Sequence, residues 1–264
     1  MIYCNLKGGL GNILFQIAAS YHLALVKNTE CSFPNFSPLL KYLKSYSGNK
    51  TETEEYRTFL NLNETTTSEK MMQYNFPFHY INFIPKEQTV LINGFFQSEK
   101  YFIDSRKNIL EFFKPSKEIE QKINSKYSSI LKDENIAIHL RRGDYLKFKD
   151  HHPVQTSEYY EQSIELIKKK KNIKNIIIFS DDIEWCKDNL KFENCIFIEN
   201  EKDYVELFLM SKCSNNIISN SSFSWWGAWL NQNEDKIVVG PKKWFGNKIN
   251  HKTDDIIPER WNLL

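Results

Sequence analysis

The sequence lacks a strong charge bias, a long apolar run and a recognisable secretion segment. Its 35 basic and 33 acidic residues give a net charge of +2, which argues against bulk nucleic-acid binding because that function usually needs a basic face. No apolar run approaches the ~18 residues of a membrane span, and no basic segment leads into an apolar stretch at the N-terminus. We therefore expect a cytoplasmic protein that binds no nucleic acid, with peripheral attachment to the inner face of the membrane left open.

Cysteine and glycine motifs are also scarce. The five cysteines are an odd number, and none of them forms a CxxC pair, so their spacing predicts no zinc site and fits small buried thiols. The loop Lys7–Gly11 lacks the third glycine of a dinucleotide-binding fingerprint, and no Gly-Lys-Ser/Thr of a P-loop follows it. The chemistry must therefore be sought in other polar clusters.

The second half of the chain alternates between short apolar runs and helix-compatible segments. The runs predict strands over residues 135–140, 175–180, 195–199, 216–219 and 236–240. The segments between them predict helices over residues 157–170, 183–190, 203–213 and 222–231. Alternation of strand and helix predicts a parallel sheet covered by helices.

The first half predicts a smaller α/β unit. Residues 2–6 form a predicted strand, followed by a glycine loop and a helix that opens at Asn12, an arrangement that brings a ligand close to backbone N–H groups. A strand and turn at 90–96 precede helices around 99–111 and 118–131. The polar segment 44–70 is expected to be irregular.

These elements predict an α/β protein with two Rossmann-like domains that face each other across a cleft. The 264 residues suit one large domain or two compact ones. We place an N-terminal domain at residues 1–130 and a C-terminal domain at 131–264, with the last helix allowed to cross back. Oligomeric state is not predicted.

The most informative stretch is residues 136–145, where a predicted buried strand ends and releases His139, two arginines and Asp144. Guanidinium groups at the end of a strand are costly unless an anion faces them, and ligands of open α/β sheets bind at the carboxyl ends of strands. We therefore predict an anion clamp, most simply for the phosphates of a nucleotide. The alternatives are a structural ion pair and an adhesion tripeptide at Arg142–Asp144.

Polar residues follow two more of the predicted strands, and parallel strands bring such ends to one edge. Asn220, Ser221 and Ser222 open a helix, where hydroxyl and N–H groups can bind phosphate, although a simple helix cap is the alternative. Asp181 and Asp182 follow Ser180. They could cap a helix, pair with a guanine edge or bind a divalent cation, and the absence of a third nearby oxygen ligand favours the first two.

Three motifs together resemble the α-1,2-fucosyltransferase family. They lie at residues 8–16, 139–145 and 217–230, and the similarity continues at 179–182, 206–213 and 241–245. The resemblance covers both ends of the chain and the second half, whereas residues 31–90 carry little of it and are expected to shape acceptor choice. The chain departs from the family pattern at Ile13, where Gln is usual, and at Glu206, where Asp is common.

The resemblance implies a short GT-B fold and an inverting, metal-independent transfer of fucose from GDP-fucose to a galactose-type hydroxyl in α-1,2 linkage. It implies no cofactor besides the donor substrate, and an oligosaccharide or lipid-linked glycan as acceptor. The implied donor-binding residues all lie in the three motifs or in the aspartate pair: Gly11, His139, Arg141, Asp181, Asp182, Asn220, Ser221, Ser222 and Phe223.

Among these, Arg141 matches the arginine that binds the donor diphosphate, whereas Arg142 is expected to be structural. Asn12 matches an asparagine near the reaction centre of protein fucosyltransferases. Loss of the GDP leaving group requires stabilisation of developing negative charge, and an acceptor hydroxyl needs a general base. Asp144 and His152 are the candidates for that base, and each has a structural alternative.

Three other functions remain open from the sequence. The donor could be another GDP-sugar, such as GDP-mannose, because a phosphate clamp does not distinguish sugars. The chain could instead be a non-catalytic carbohydrate-binding protein that uses its tryptophan-rich segment. A metal-dependent GT-A transferase is the third alternative, and loss of activity in chelator would support it.

Overall fold

A computed structural model describes residues 1–46, 53–67 and 70–264 of the chain. The chain divides into two compact units. Unit 1 comprises Met1–Lys114 and Lys252–Pro258, and unit 2 comprises Pro115–His251 and Glu259–Leu264. Within the described residues, no helix is both long and apolar enough to cross a membrane.

Unit 1 contains a parallel sheet among its described residues. The strands are β1 (Ile2–Cys4), β2 (Cys31–Ser32), β3 (Met72–Asn75) and β4 (Val90–Asn93), in the order β2-β1-β4-β3. The helices are α1 (Leu10–Val26), α2 (Phe36–Tyr46), α3 (Thr53–Leu60) and α4 (Arg106–Phe112), with 3₁₀ turns at Glu99–Tyr101 and Ile103–Ser105. The first strand, the glycine loop and the following helix therefore form as the sequence predicts.

Two predictions for unit 1 are wrong in detail. Helix α1 begins at Leu10 with Gly9 as its N-cap, two residues before Asn12, because the glycine-rich loop is shorter than expected. The polar segment 44–70 is not wholly irregular, since Thr53–Leu60 is helical with Tyr56 and Leu60 buried. Two apolar anchors four residues apart suffice to fix this helix despite its polar composition. Residues 47–52 and 68–69 of that segment lie outside the described residues.

Unit 2 contains a second parallel sheet. Its strands are β5 (Asn135–Leu140), β6 (Asn175–Ser180), β7 (Cys195–Phe197), β8 (Asn215–Ile217), β9 (Val238–Gly240) and β10 (Asn262–Leu263), in the order β10-β9-β8-β5-β6-β7. Its helices are α5 (Lys117–Leu131), α6 (Ser157–Lys168), α7 (Ile183–Asn189), α8 (Asp203–Ser211) and α9 (Ser222–Leu230). All five predicted strands of the second half are present within three residues of their expected ends.

The core of unit 2 explains why these segments adopt their structures. Every residue of β5 is buried, as expected for a central strand of a parallel sheet covered on both faces. Trp225, Trp226 and Trp229 of α9 are each fully buried, so their indole rings pack in the core rather than offering a sugar-stacking surface. A Cβ on Gly227 would lie 2.9 Å from Met210 Cβ, and glycine thus allows α8 and α9 to pack closely.

The end of the chain differs from the sequence prediction. No helix follows Leu230 in residues 231–264, all of which are described. Residues 252–258 group with unit 1 and residues 259–264 with unit 2, where Asn262–Leu263 adds a strand beside β9. A short strand at the sheet edge therefore takes the place of the expected final helix.

Candidate functional site

The two arginines lie at the carboxyl edge of the unit 2 sheet, each paired with aspartate. Strands β5 and β6 end side by side, with Leu140 opposite Ser180. Arg141 Nη1 lies 3.1 Å from Asp181 Oδ2, and Arg141 Nη2 lies 2.7 Å from Asp144 Oδ1. Burial opposes the charge on Arg141, but the carboxylates of Asp181 and Asp144 outweigh it and raise the pKa of the guanidinium. Arg141 is therefore a permanent cation at this edge.

Arg142 is held more tightly than its neighbour. Its Nε lies 3.0 Å from Asp182 Oδ2, and its guanidinium carbon lies 3.4 Å from the ring centroid of Trp185. Only 13% of the Arg142 side chain is exposed, against 23% for Arg141. These contacts support the expectation that Arg142 is structural, since the stacked face and the carboxylate occupy its guanidinium.

Asp181 connects the two strand ends. One of its carboxylate oxygens contacts Arg141, and the other accepts a 2.8 Å hydrogen bond from the backbone N–H of Arg142. A Cβ on Gly143 would lie 2.5 Å from Asp181 Oδ2, so a side chain at position 143 would push the carboxylate away. The glycine of the Arg-Arg-Gly-Asp sequence therefore makes room for this ion pair.

His139 is a neutral, buried part of the same edge. It is 5% exposed, and its Nδ1 lies 3.0 Å from Ser219 Oγ at the end of the neighbouring strand. Burial and the positive charge of Arg141 lower the pKa of His139 to about 3. The imidazole is therefore uncharged at physiological pH and acts through hydrogen bonding and packing, with its ring centroid 5.5 Å from that of Phe223.

The segment before α9 is positioned by its neighbours. The Asn220 amide donates to the Trp244 carbonyl at 2.9 Å and accepts from Gln155 at 3.0 Å, while Tyr145 donates to the Asn220 carbonyl at 3.0 Å. Both side-chain groups of Asn220 are thereby used within the protein. Ser221 is the N-cap of α9, yet its side chain makes no capping hydrogen bond.

This geometry bears on the two hypotheses for the serines. A simple cap would place the Ser221 hydroxyl on a first-turn N–H group, and that contact is not made. Ser222 and Phe223 are the first residues of the helix and are both partly exposed. The start of α9 is consequently open to an anion, as the phosphate-binding hypothesis requires.

The edge of the unit 1 sheet is built from amides rather than charges. Gly8 adopts φ +86°, and a Cβ there would lie 2.5 Å from Asn12 Nδ2. Asn12 Oδ1 accepts a 2.6 Å hydrogen bond from Gln97 Nε2. Gln16 fixes the loop itself, because its amide hydrogen-bonds both backbone groups of Lys7 at 2.9 and 2.8 Å. Gly11 lies in the first turn of α1 and is buried.

Comparison with known proteins identifies the family. The whole chain, residues 1–264, matches glycosyl transferase family 11. The chain belongs to this family. It is 32% identical to an α-1,2-colitosyltransferase of Escherichia coli, with 99% of this chain and 98% of the relative covered. It is also 30% identical to the O-antigen biosynthesis glycosyltransferase WbnK of Escherichia coli, over 96% and 98% of the two chains.

A solved structure supports the fold class. The family 11 chain superposes on NodZ α-1,6-fucosyltransferase soaked with GDP-fucose with a TM-score of 0.50 at 11% identity, covering 87% of this chain and 92% of NodZ. The predicted α/β class with two parallel sheets, of the GT-B fucosyltransferase type, is confirmed. The resemblance to α-1,2-fucosyltransferases and the assignment as a glycosyltransferase are also confirmed by the family match.

The two candidate bases of this family 11 enzyme have different surroundings. Asp144 contacts Arg141, as described, which supports the alternative that it orients the arginine. His152 stacks on Tyr145 with ring centroids 4.8 Å apart. Its Nδ1 is buried and has no hydrogen-bond partner within the described residues. Burial is the main cause that lowers the pKa of His152, and the neutral imidazole can accept a proton.

The sequence interpretation assigns no site role to two residues at these edges. Glu206 lies in the first turn of α8, and burial together with Asp203, Glu201 and Asp181 raises its pKa to about 8. The departure from Asp at this position draws attention to it, but only the fold shows its surroundings. Gln97 has no comparable pattern, because it lies between an aromatic pair and a polar segment that match no motif.

Proposed function

We propose that this family 11 enzyme transfers fucose from GDP-fucose to a galactose-type hydroxyl, in α-1,2 linkage and with inversion at C1. The observation that carries the proposal is Arg141, a partly buried guanidinium at the edge where β5 and β6 end. It lies over the ring of Tyr145, which donates a hydrogen bond to the carbonyl of Asn220 just before α9. Arginine at such an edge is suited to a diphosphate. Gly11, His139, Asp181, Asp182, Asn220, Ser221, Ser222 and Phe223 complete the proposed donor-binding set.

The chemistry follows from the charges that the reaction creates. Cleavage of the C1–O bond leaves GDP with additional negative charge on its β-phosphate and an electron-poor sugar. Arg141 and the N–H groups of α9 stabilise that charge. The acceptor hydroxyl attacks C1 from the opposite face and loses its proton to Asp144 or His152. These steps use only side chains and backbone N–H groups of the protein, so chelator is expected to leave activity intact.

Relatives support the class of substrates. One relative is named an α-1,2-colitosyltransferase and another an O-antigen biosynthesis enzyme, which makes GDP-colitose the second candidate donor. A glycan acceptor, free or lipid-linked, is consistent with these names. We place the reaction in the cytoplasm, and attachment to the inner face of the membrane is part of the same hypothesis.

A donor panel tests the proposal directly. GDP-fucose, GDP-colitose and GDP-mannose are incubated with the enzyme and with galactose-terminated acceptors, with and without chelator, and released GDP is measured. We expect release from GDP-fucose in both conditions. If GDP is released preferentially from GDP-colitose, the proposed donor is wrong but the proposed mechanism stands. Complete loss of activity in chelator, restored by Mn²⁺ or Mg²⁺, would contradict the metal-free mechanism.

A further inference from the structure

Unit 1 contains a cavity beside the second half of α1, and all of its lining residues belong to that unit. Its volume is about 480 Å³, within the range of about 300 to 1,000 Å³ that is usual for small-molecule sites. One wall is the face of α1 that carries Ala19, His22, Leu23 and Val26, since residues three or four positions apart share a face. His22 lies roughly 15 Å along the helix from Asn12, so the cavity is separate from the edge that carries that amide.

A second wall is the irregular segment between β3 and β4, which is fixed by contacts within unit 1. The Tyr101 hydroxyl accepts a hydrogen bond from the backbone N–H of Ile81 at 3.2 Å and donates to the carbonyl of His79 at 3.1 Å. Lys27 Nζ donates to the carbonyl of Pro85 at 2.8 Å. A segment that is held at several points keeps its shape before a ligand arrives, as is usual for binding sites.

Exposed apolar side chains line this cavity. Phe83 is 43% exposed, and its ring is supported by two others, with centroids 5.2 Å away at Tyr74 and 6.1 Å away at Phe76. Three aliphatic side chains of the cavity are also exposed: Leu25, Val26 and Ile84. Apolar side chains that gather at one place on a surface mark a binding site, whereas single ones need no explanation.

Polar side chains line the cavity as well. His22 Nδ1 lies 2.8 Å from Ser105 Oγ, and its Nε2 makes no hydrogen bond to any described residue. Burial lowers the pKa of His22 and Asp104 opposes this, whereas burial and Asp104 together raise the pKa of Tyr80. Asp104 and Lys100 are exposed, and neither forms an ion pair with another residue that the structure describes. Hydrogen-bonding groups therefore remain for a ligand beside an apolar surface.

This combination of side chains favours a sugar residue as the ligand. The hydroxyl groups of a hexose both donate and accept hydrogen bonds, and its C–H groups pack on the electron-rich face of an aromatic ring. An acyl chain would cover the polar side chains of the cavity without pairing them, which is costly. A phosphorylated ligand would meet the carboxylate of Asp104, which repels it.

We propose that this cavity binds a sugar residue of the glycan acceptor, through the ring of Phe83 and hydrogen bonds to His22 and Asp104. The inference rests on the proposed function, because that function supplies the glycan. None of the three residues belongs to the proposed donor-binding or catalytic set. The cavity is therefore a site that holds the glycan and takes no part in the transfer chemistry.

Methyl NMR of the whole enzyme, without donor, tests the inference with a galactose-terminated tetrasaccharide as the probe. Four residues of the cavity carry methyl groups that report on it: Leu23, Val26, Ile81 and Ile84. We expect their signals to shift and to saturate with a dissociation constant of about 1 mM. Phe83→Ala should raise that constant about 10-fold because it removes the aromatic surface. Asp104→Asn should raise it about fivefold, since a neutral amide accepts hydrogen bonds less strongly than a carboxylate.

The matched controls are exposed side chains of unit 1 that do not line the cavity. Met72→Ala removes an apolar side chain that is 54% exposed, and Glu111→Gln neutralises an exposed carboxylate on α4. Both should bind the tetrasaccharide like wild type. The melting temperature of each variant is measured alongside, and if Phe83→Ala does not fold, the isosteric Asp104→Asn decides.

Three results would overturn the inference: cavity signals that do not shift at about 10 mM tetrasaccharide, cavity variants that bind like wild type, or controls that weaken binding equally. Saturable shifts with decanoate but not with the tetrasaccharide would also overturn it, since the occupant would then be an acyl chain. GDP release by an enzyme whose cavity binds no sugar would refute this inference alone. Sugar binding by an enzyme that releases GDP from no GDP-sugar would refute the proposed function but not the sugar site.

Discussion

The two sheet edges of this molecule use different chemistry. The edge of unit 2 combines two guanidiniums with three carboxylates in contacts of 2.7 to 3.1 Å, whereas the edge of unit 1 uses glycines and the amides of Asn12, Gln16 and Gln97. A partly buried charge needs partners before any ligand arrives, because an uncompensated charge is strongly destabilising. An amide needs no countercharge, but its donor and acceptor ends must be oriented, and neighbouring hydrogen bonds do this.

The largest expected effect is on the charged edge. Arg141→Ala should weaken GDP binding about 100- to 1,000-fold, because it removes the cation and leaves Asp181 and Asp144 facing the phosphates. Isothermal titration with GDP measures this change. Arg57→Ala is the control, since Arg57 pairs with Glu54 and Glu64 in unit 1 and should leave the affinity unchanged. If Arg141→Ala binds GDP within threefold of wild type, Arg141 does not bind the diphosphate and serves only in a structural ion pair.

The second effect is the pH dependence that His139 gives to stability. The folded pKa of about 3 lies below the ordinary value near 6.5, so only the unfolded chain binds a proton between these values. Stability is present above pH 6.5 and is lost as the pH falls, by up to about 1.4 kcal/mol per pH unit. His139→Asn should reduce that slope in denaturant unfolding at pH 7, 6 and 5. Parallel curves for the two proteins would show that His139 does not contribute it.

The third effect is a loss of stability at the edge of the unit 1 sheet that carries the amides. Gly8→Ala should destabilise unit 1 by about 2 kcal/mol, because alanine is strained at positive φ and its Cβ would collide with the Asn12 amide. Gly9→Ala is a matched control one residue away, since a Cβ there meets no described atom within 4 Å and the backbone φ is −77°. Thermal unfolding of both variants measures the difference. Equal melting temperatures would mean that the loop relaxes without penalty.

The smallest effect concerns Glu206. Its folded pKa of about 8 lies above the ordinary value of a carboxyl group, so the protonated form stabilises the fold at low pH and that stability is lost as the pH rises towards 8. Glu206→Gln should equal wild type at pH 5 and exceed it by about 1 kcal/mol at pH 8.5, after allowance for partial exposure. Unfolding at the two pH values tests this sign. A variant that is less stable at pH 8.5 would contradict the protonated state.

The sequence predicts the second half of the fold far better than the first. Central strands of unit 2 contain apolar runs such as Ile176–Phe179. The helices that alternate with them predict a parallel sheet in which these runs are buried. Strands β2 and β3 were not predicted because Cys31–Ser32 is two residues long and Met72–Asn75 is mostly exposed. Such strands form because neighbouring strands supply hydrogen-bond partners, and these long-range partners leave no pattern in the local sequence.

The candidate site divides in the same way. Arginine and aspartate directly after an apolar run are conspicuous. Because parallel strands end at one edge of a sheet, the sequence predicts that Arg141, Asp144 and Asp181 lie close together. The partner of each arginine could not be predicted, because spacing in the sequence does not decide whether Asp181 contacts Arg141, Arg142 or both. Gln97 was missed because its contact with Asn12 depends on a left-handed turn at Phe96 that the residue type argues against.

Asp181 can release one partner without losing the other. A phosphate that draws Arg141 away from Asp181 leaves the second carboxylate oxygen bound to the backbone of Arg142, so the carboxylate swivels in place instead of being expelled into solvent. When the nucleotide departs, the other oxygen, Oδ2, can pair with the Arg141 guanidinium again. Under the proposed function, Asp181 would therefore return Arg141 to one resting position between catalytic cycles.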